Sequence, residues 1–550
     1  MTAPVPALLA RMALTFALAC GIGMLAPTVA HADGFTASPE LPTSYDSGAA
    51  RTGVAHMIAL RVSFADQDPQ TAFEADDTKE ALRQLFTGTA GQGFAATDAV
   101  FPYDGVAPYY ARSSYGKLAI TAEAFDYRAR YPQAHYGSED TLDELYEEAL
   151  TSLDASGEDL SRFDANEDGR IDGVYLHFAN EGREIDDWDS SWWNAQWAYD
   201  GDLELDGITP GSFVILHEAS NTAEGVQAAI HETGHVLGLP DYYSYVQTAE
   251  DNAADLADKR NQAPARPTGA DVSLTEVSGD AGLGTFDMMQ DSLGDHNGFS
   301  KWLLGWFDDD EIVRIVPSPE GVQVICGDER QTVAYDSEDT AEVGSALSAL
   351  SATGQTSHPR IAVIGNEDAG VFASYYLVEF DAQTGNNVVW YTSDETDPIA
   401  RVPAGVRVFR VQAALDRDKA DFRLSGAEGT KGKQLLELVD PDGDKPHVES
   451  IGTAPVAEGA TTYGCSLKAG EALSGESGIE GEPLVSSLTS IKVEELTGSD
   501  DSAQATLSLT FTRPAQTLPA WAIPAGALAA IAIVLILWRA IRAKRAHGTR

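Results

Sequence analysis

The sequence feature that most constrains this chain is the stretch from Ile230 to Asp241, which follows the pattern H-E-x-x-H-x-x-G-x-x-D. Residues four apart share one face of a helix, so His231 and His235 are expected to project side by side. Two imidazoles at that spacing can hold one Zn²⁺ at about 2.0–2.1 Å. Glu232 can then act as general base on a water at the metal. The pattern therefore predicts a zinc-binding helix with hydrolytic chemistry.

The residues after this helix predict how the metal site is completed. Gly238 is expected to end the helix, because glycine adopts the left-handed conformation without steric cost. The reversal would bring Asp241 back as a third ligand and leave a fourth position for water, as in catalytic zinc sites. Asp241 could instead cap the turn or hydrogen-bond a ligand histidine. For the motif as a whole, the alternative is a buried amphipathic helix with two ordinary core histidines.

Length, charge and cysteine usage limit the class of protein. The chain has 550 residues and a formal net charge of −49. This length suffices for two or three domains. The acidic balance argues against nucleic-acid binding, which requires a basic face, and part of the acid is expected to bind calcium. Outside the leader, Cys326 and Cys465 could pair in a disulfide or remain two free buried thiols.

The two ends of the chain carry targeting signals. Residues 1–32 contain an apolar run followed by Ala30-His31-Ala32, which predicts a signal peptide and its cleavage site. Residues 518–538 are uncharged and almost wholly apolar, which predicts a single transmembrane helix. The basic residues 539–550 would stay in the cytoplasm. These signals together predict a single-pass protein of the cell membrane, with its catalytic region outside the cell.

The sequence between the two ends divides by composition. Residues 33–53 are polar and are interpreted as a linker, and residues 54–310 contain the histidine motif and form the expected catalytic domain. Within that domain, residues 244–280 are acidic and weakly periodic and are interpreted as a mobile insertion. Residues 311–515 alternate short apolar runs with turns, which predicts one or two β-sandwiches.

A second candidate metal site precedes a predicted strand. Asp164, Asn166, Asp168 and Asp172 place oxygen atoms at alternate positions, and a glycine between them permits a sharp turn, as in calcium loops of the D-x-N-x-D-G kind. The loop departs from an EF-hand at its twelfth position, where Tyr175 replaces the bidentate glutamate. We therefore expect an EF-like calcium loop that leads into a strand. An ordinary Asx–Gly turn is the alternative.

Two adjacent methionines follow the insertion. A tight turn that places a methionine beneath the metal ligands is a landmark of one group of zinc peptidases. A thioether is apolar and soft, so it forms a packed floor without competing for zinc. Met289 is the expected support residue and Met288 is the alternate.

Five stretches of this chain occur in an order that resembles the immune inhibitor A family of secreted bacterial metallopeptidases. They are Tyr109 to Leu118, Asp164 to Asp172, His231 to Tyr242, Asp287 to Met289, and Gly298 to Trp306. The resemblance implies a metzincin-like zinc endopeptidase, usually supported by bound calcium. It also implies that His231, His235 and Asp241 are the zinc ligands and that Glu232 is the catalytic acid and base. The short stretch before residue 54 departs from family members that have a large propeptide.

These inferences combine into one expected architecture and function. The expected fold class is α+β, with a metzincin-like zinc peptidase catalytic domain followed by a β-sandwich-type C-terminal region and a single transmembrane helix. The expected function is a cell-surface zinc-dependent endopeptidase that hydrolyses extracellular proteins or peptides. The alternatives are a surface adhesin on an inactive peptidase scaffold and a hydrolase of cell-wall amide bonds. The intact Glu232 argues against the adhesin, because a site that only binds has no need of that carboxylate.

Overall fold

The computed structural model describes most of the chain between its two ends. The described residues are 36–88, 105–178, 194–217, 223–242, 287–290, 294–366, 370–388, 404–422, 435–439, 466–474 and 484–514, apart from positions 46, 70, 74, 200, 383, 417 and 420. The predicted signal peptide at 1–32, the insertion at 244–280 and the basic tail at 539–550 lie outside these residues.

Helices and strands alternate in the first half of the described chain, and strands dominate the second half. The helices are α1 (Lys79–Thr87), α2 (Val106–Ser113), α3 (Glu139–Ala155), α4 (Ala223–Val236) and α5 (Gly298–Leu303). The strands of the first half are β1 (Gly53–Ser63), β2 (Leu118–Arg128), β3 (Val174–Phe178), β4 (Ala195–Trp197) and β5 (Phe213–Leu216). The remaining strands are β6 (Ile312–Ser318), β7 (Gly321–Cys326), β8 (Glu329–Val333), β9 (Thr340–Ser348), β10 (Ile361–Gly365), β11 (Ser374–Asp381), β12 (Gly405–Gln412), β13 (Leu436–Leu438), β14 (Ala472–Ser474), β15 (Leu488–Thr497) and β16 (Gln504–Thr512).

The first five strands form one sheet in the order β2-β1-β3-β5-β4. β1 pairs in parallel with β2 and β3, β3 pairs in parallel with β5, and β4 is an antiparallel edge strand. Parallel neighbours require crossover connections, and α1, α2 and α3 provide them between β1 and β3. The expected α+β class is therefore wrong, and the molecule is mixed α/β.

Side-chain alternation along these strands buries both faces of the sheet. On one face, Leu60 and Leu176 pack in a core with Leu145 and Tyr146 of α3. On the other face, Met57 and Tyr175 belong to a second core that contains α1, α2, α4 and α5. The helix with the histidine motif is thus held against a sheet that is buried on both sides.

Two further sheets follow, with the orders β13-β12-β11-β10-β6-β7-β8 and β14-β15-β16-β9. Leu377 and Phe409, on one face of the seven-stranded sheet, join the same core as Trp302 of α5. Tyr376 and Val408, on its opposite face, pack in a third core with the four-stranded sheet. The helices α2, α4 and α5 therefore share one hydrophobic core with both the parallel sheet and the seven-stranded sheet.

The expected transmembrane helix requires a correction of the predicted fold class. Among the described residues, no helix is long and apolar enough to span a membrane. Residues 518–538, where the sequence predicts that helix, lie outside the described residues. The fold of the described residues is a mixed α/β arrangement of three sheets.

Candidate metal centre

Helix α4 carries the first part of the centre because its sequence has an apolar face. Val226, Ala229 and Ile230 are spaced three and four apart and are buried in the helical core. The helix then ends through a Schellman arrangement, in which the Leu239 amide donates to the Gly234 carbonyl at 2.9 Å. Gly238 has φ of +100°, a left-handed conformation that glycine adopts without strain. This ending turns the chain back toward the two histidines.

The turn brings Asp241 to the histidines, and these three residues are the cluster of possible metal ligands found among the described residues. Oδ1 of Asp241 lies 3.1 Å from Nε2 of His231 and 3.3 Å from Nε2 of His235. One ligand atom from each residue falls within 4.8 Å of the other two. The structure thus brings together the ligands that the motif spacing predicts.

Backbone carbonyls fix the tautomer of both histidines. Nδ1 of His231 lies 2.9 Å from the carbonyl oxygen of Met288, and Nδ1 of His235 lies 2.8 Å from that of Leu239. A carbonyl only accepts, so each Nδ1 carries the proton and each Nε2 presents its lone pair when the ring is neutral. Two lone pairs that face one carboxylate oxygen repel it unless a cation lies between them. A zinc ion fits this donor set of two imidazole nitrogens and one carboxylate oxygen.

The charges of the cluster point to the same preference for a cation. Burial lowers the pKa of His231, but the hydrogen bond and charge of Asp241 outweigh this effect and raise the pKa to about 10. Burial raises the pKa of Asp241, but the two histidines outweigh it and hold the pKa well below its usual value. A positive charge, from protons or from a metal ion, therefore stabilises this cluster.

Glu232 lies next to the ligands and is only 5% exposed. Its Oε2 atom is buried and has no hydrogen-bond partner among the described residues. Burial raises the pKa of Glu232, whereas the charges of His231 and His235 lower it. A buried carboxylate oxygen without a donor is suited to accept a proton from a reacting group.

The two methionines support the centre in different ways. Met288 contributes its carbonyl oxygen to His231, as described above. Met289 places its sulfur under α4, where a β-carbon added at Gly234 would lie 2.4 Å from Sδ. The Tyr242 amide donates to the Met289 carbonyl at 3.1 Å and so joins this turn to the end of the Asp241 segment. The turn is therefore part of the floor of the centre, with Met289 as its apolar contact.

Asp287 supports the centre, although it is not among the site residues predicted from the sequence. Its side chain is fully buried and accepts from the amides of Met289 at 2.8 Å and Asn297 at 2.7 Å. It also accepts from the hydroxyl of Ser300 in α5 at 2.8 Å. The carboxylate therefore ties the methionine turn to α5. An aspartate two residues before the methionine is a sequence signal for such a turn, because Asx side chains accept from the amide two residues on.

The edge strand β4 also contacts the centre, and no sequence pattern predicts this contact. Nε2 of Gln196 donates to the hydroxyl of Ser212 at 2.8 Å and lies 3.5 Å from the carbonyl oxygen of His235. The backbone amide of Gln196 also lowers the pKa of Glu232 by donating to its carboxylate. The antiparallel edge of the first sheet thus borders Glu232.

The acidic loop forms a turn in which aspartate side chains accept from backbone amides, and its calcium binding stays a prediction. Among the described residues, its aspartates are not part of a cluster of possible metal ligands. Asp164 accepts from the amides of Asp168 at 3.0 Å and Gly169 at 2.9 Å. Asp172 is 1% exposed, and its Oδ2 accepts from the amides of His56 at 2.6 Å and Ala165 at 3.2 Å. Its Oδ1 is buried without a hydrogen-bond partner among the described residues. Burial raises the pKa of Asp172 to about 6.

The remaining candidate residues do not contribute to the centre. Cys326 is a free thiol at the end of β7, and Cys465 lies outside the described residues. Ser466, the neighbour of Cys465, packs on β12, which four strand positions separate from β7. The pairing of Cys326 with Cys465 therefore stays a prediction. Tyr242, which follows the Asp241 ligand, directs its hydroxyl to Ser300 at 2.7 Å rather than toward the metal ligands.

No protein-family model and no curated protein matches this sequence. The chemistry of the centre itself is therefore the basis for a functional assignment.

Proposed function

We propose that this chain is a zinc-dependent endopeptidase that hydrolyses peptide bonds of proteins outside the cell. The observation that carries the proposal is the convergence of His231, His235 and Asp241 beside the buried, unpartnered Oε2 of Glu232. A site that only stored a metal would have no need of that adjacent carboxylate. The predicted leader at residues 1–32 supports substrates outside the cell.

In this proposal, the two histidines and Asp241 would hold the metal ion. Zinc supplies a Lewis acid that polarises the scissile carbonyl and lowers the pKa of water toward about 7. Glu232 accepts a proton from the attacking water and then donates it to the leaving amine. One C–O bond forms, the C–N bond breaks and one water molecule is consumed.

The position of β4 supports an extended peptide as substrate. β4 pairs only with β5 in the sheet that the structure describes, so its other edge carries backbone groups without a strand neighbour there. An extended chain can add to such an edge through main-chain hydrogen bonds. Because Gln196 of β4 contacts both Glu232 and the helix carbonyl of His235, an added chain would run beside the metal centre.

A bound calcium ion in the acidic loop is a further part of the proposal. The candidate ligands are Asp164, Asn166, Asp168 and Asp172. Asp172 supports this assignment, because its buried Oδ1 lacks a partner among the described residues and burial raises its pKa. Such an oxygen gains most from a hard cation, which prefers carboxylate ligands.

Hydrolysis of casein by the purified protein tests the proposed function. We expect the full chain to hydrolyse casein, to lose that activity when a chelator removes its zinc, and to regain it with one equivalent of Zn²⁺. A chain that binds casein without cleaving it would support the adhesin instead. Cleavage of cell-wall amides but not casein would support the other alternative. Either result would contradict the endopeptidase.

A further inference from the structure

The polar segment that follows the predicted leader is held against the rest of the protein by hydrogen bonds, so it does not act as a linker. We name residues 36–51 the strap. The indole of Trp302 donates to the Thr36 carbonyl at 2.9 Å, and the indole of Trp306 donates to the Arg51 carbonyl at 2.9 Å. The Arg51 guanidinium donates to the carbonyl of Leu303 at 3.2 Å. Both ends of the strap are therefore anchored on α5 or on the residues that follow it.

The middle of the strap covers the turn that leads to Asp241. A β-carbon added at Gly238 would lie 2.2 Å from Cδ1 of Leu41 and 2.8 Å from the carbonyl oxygen of Tyr45. The Ser47 hydroxyl donates to the Val236 carbonyl, one residue after the ligand His235. The strap therefore touches the end of the histidine helix at Val236 and the turn that follows it at Gly238.

The strap is also held by two other parts of the chain. The Asn166 side chain of the acidic loop donates to the Gly48 carbonyl at 2.8 Å. Gly48 has φ of +92°, and a β-carbon there would lie 2.8 Å from Nε of Arg170. On the C-terminal side, the Tyr45 hydroxyl donates to Asp421 at 2.8 Å. These contacts fix the strap from outside, so the position of Ser47 is set independently of the metal ligands.

The last carbonyls of a helix have no partner within the helix, so outside groups determine how the final turn is held. Ser47 supplies such a group at Val236, and Leu41 limits how far Gly238 can move. Only five residues, 237–241, connect this point to Oδ1 of Asp241. A shift of the turn would therefore change the distance between that oxygen and the two Nε2 atoms.

We infer that the strap positions the third metal ligand and that Ser47 is a positioning residue of the metal centre. The inference rests on the proposed function, because it assumes that Asp241 binds zinc. The strap also joins the acidic loop to the end of α4. Ser47 donates to Val236 of α4, and the neighbouring Gly48 accepts from Asn166 of the loop.

Zinc affinity of the full chain tests the inference, measured by competition with a chromophoric chelator. Ser47→Ala removes the hydroxyl, Ser47→Thr keeps one, and Ser44→Ala changes an exposed serine of the same strap. We expect Ser47→Ala to weaken zinc binding by about tenfold, the lower range for groups that support metal ligands. Ser47→Thr is expected to restore the affinity, and Ser44→Ala to leave it unchanged.

Two further readouts separate positioning from a general loss of stability. For Ser47→Ala loaded with saturating zinc, kcat on a peptide substrate is expected to fall while KM stays unchanged. The Tm of the metal-free protein is expected to change less than that of the zinc-loaded protein. If Ser47→Ala does not fold, Leu41→Ala tests the other contact of the strap with this turn, at Gly238, with the same measurements.

The inference is overturned if the wild-type chain binds one zinc and Ser47→Ala binds it with equal affinity. It is also overturned if the alanine and threonine variants lose affinity equally. A wild-type chain that binds no zinc would instead contradict the proposed function.

Discussion

At the scale of single residues, the chemistry of the centre depends on which side-chain atoms already have a hydrogen-bond partner. Both histidines donate their Nδ1 protons to backbone carbonyls, so their Nε2 atoms remain for a cation. Glu232 keeps a buried oxygen without a partner among the described residues. Substitutions can therefore separate the proposed role of the three ligands from the proposed role of Glu232.

Replacement of Glu232 by glutamine is expected to abolish most activity while leaving zinc bound. The amide keeps the shape of the side chain but cannot accept the proton of the attacking water. General acid–base catalysis contributes about 10²–10⁴-fold, so kcat is expected to fall by that factor. Steady-state kinetics and metal analysis of the same sample check this. A variant with wild-type kcat would remove Glu232 from the mechanism.

Gly238→Ala is expected to destabilise the protein more than Gly157→Ala. Both glycines have positive φ, +100° and +93°, so both alanine variants adopt a strained backbone at about 1–2 kcal/mol. Only at Gly238 does the added β-carbon also meet Leu41 and Tyr45, whereas nothing lies within 4 Å of it at Gly157. Urea unfolding of the two variants measures the difference. Equal losses would show that the strap does not pack against this turn.

Much of the centre was predictable from sequence because its ligands lie within eleven residues of one helix and turn. The spacing predicted that His231, His235 and Asp241 would meet, and the structure brings them together. The contacts of Asp287, Gln196 and Ser47 were not predicted. Each reaches the centre from a distant part of the chain, and local sequence patterns do not predict contacts between distant segments.

At the scale of elements, the buried carboxylate of Glu379 joins α5 to the seven-stranded sheet. Glu379 of β11 accepts from the Gly298 amide at the start of α5 at 2.7 Å. It also lies 3.4 Å from the guanidinium of Arg407 on β12. Burial raises the pKa of Glu379 to about 7, because the charge of Arg407 only partly offsets the loss of solvent. Burial therefore disfavours the ionised form of Glu379, although Arg407 and the Gly298 amide partly stabilise it.

Glu379 is expected to make the stability of the protein depend on pH. Its folded pKa is raised above the ordinary value, so its contribution is complete below about pH 4.5 and is lost as pH rises through about 7. The shift corresponds to about 3 kcal/mol. Glu379→Gln removes this titration. Between about pH 4.5 and pH 7, the free energy of unfolding of wild type is therefore expected to fall by about 3 kcal/mol relative to that of the variant. Parallel pH profiles of the two proteins would contradict the assignment.

Several individual elements followed from sequence, but their arrangement did not. The strand predicted after the acidic loop is β3, and the helix predicted for the histidine motif is α4. The parallel pairing of β1 with both β2 and β3 was missed, and with it the mixed α/β class. Strand order depends on contacts between distant segments, whereas periodicity reports only which face of an element is buried.

At the scale of the whole molecule, one hydrophobic core joins the metal-binding helix to the C-terminal strands. Phe409 of β12, Trp302 of α5 and Ile230 of α4 belong to it and are fully buried. The seven-stranded sheet therefore supports the helices from the side opposite the parallel sheet. The two halves of the described chain are expected to unfold together.

Phe409→Ala is expected to weaken both halves at once. Removing a buried phenylalanine costs about 3–5 kcal/mol, and the cavity would lie between the sheet and the helices. Urea transitions followed by tryptophan fluorescence and by zinc release are expected to coincide in wild type and to shift together in the variant. Zinc release that keeps its wild-type midpoint while the fluorescence transition moves would show that the halves are independent.

The most direct test of the metal centre is the zinc X-ray absorption spectrum of the purified full chain. We expect one zinc per chain with four ligands, two imidazole nitrogens and two oxygens, at about 2.0–2.2 Å. A sulfur shell near 2.3 Å, or a chain that binds no stoichiometric zinc, would contradict it.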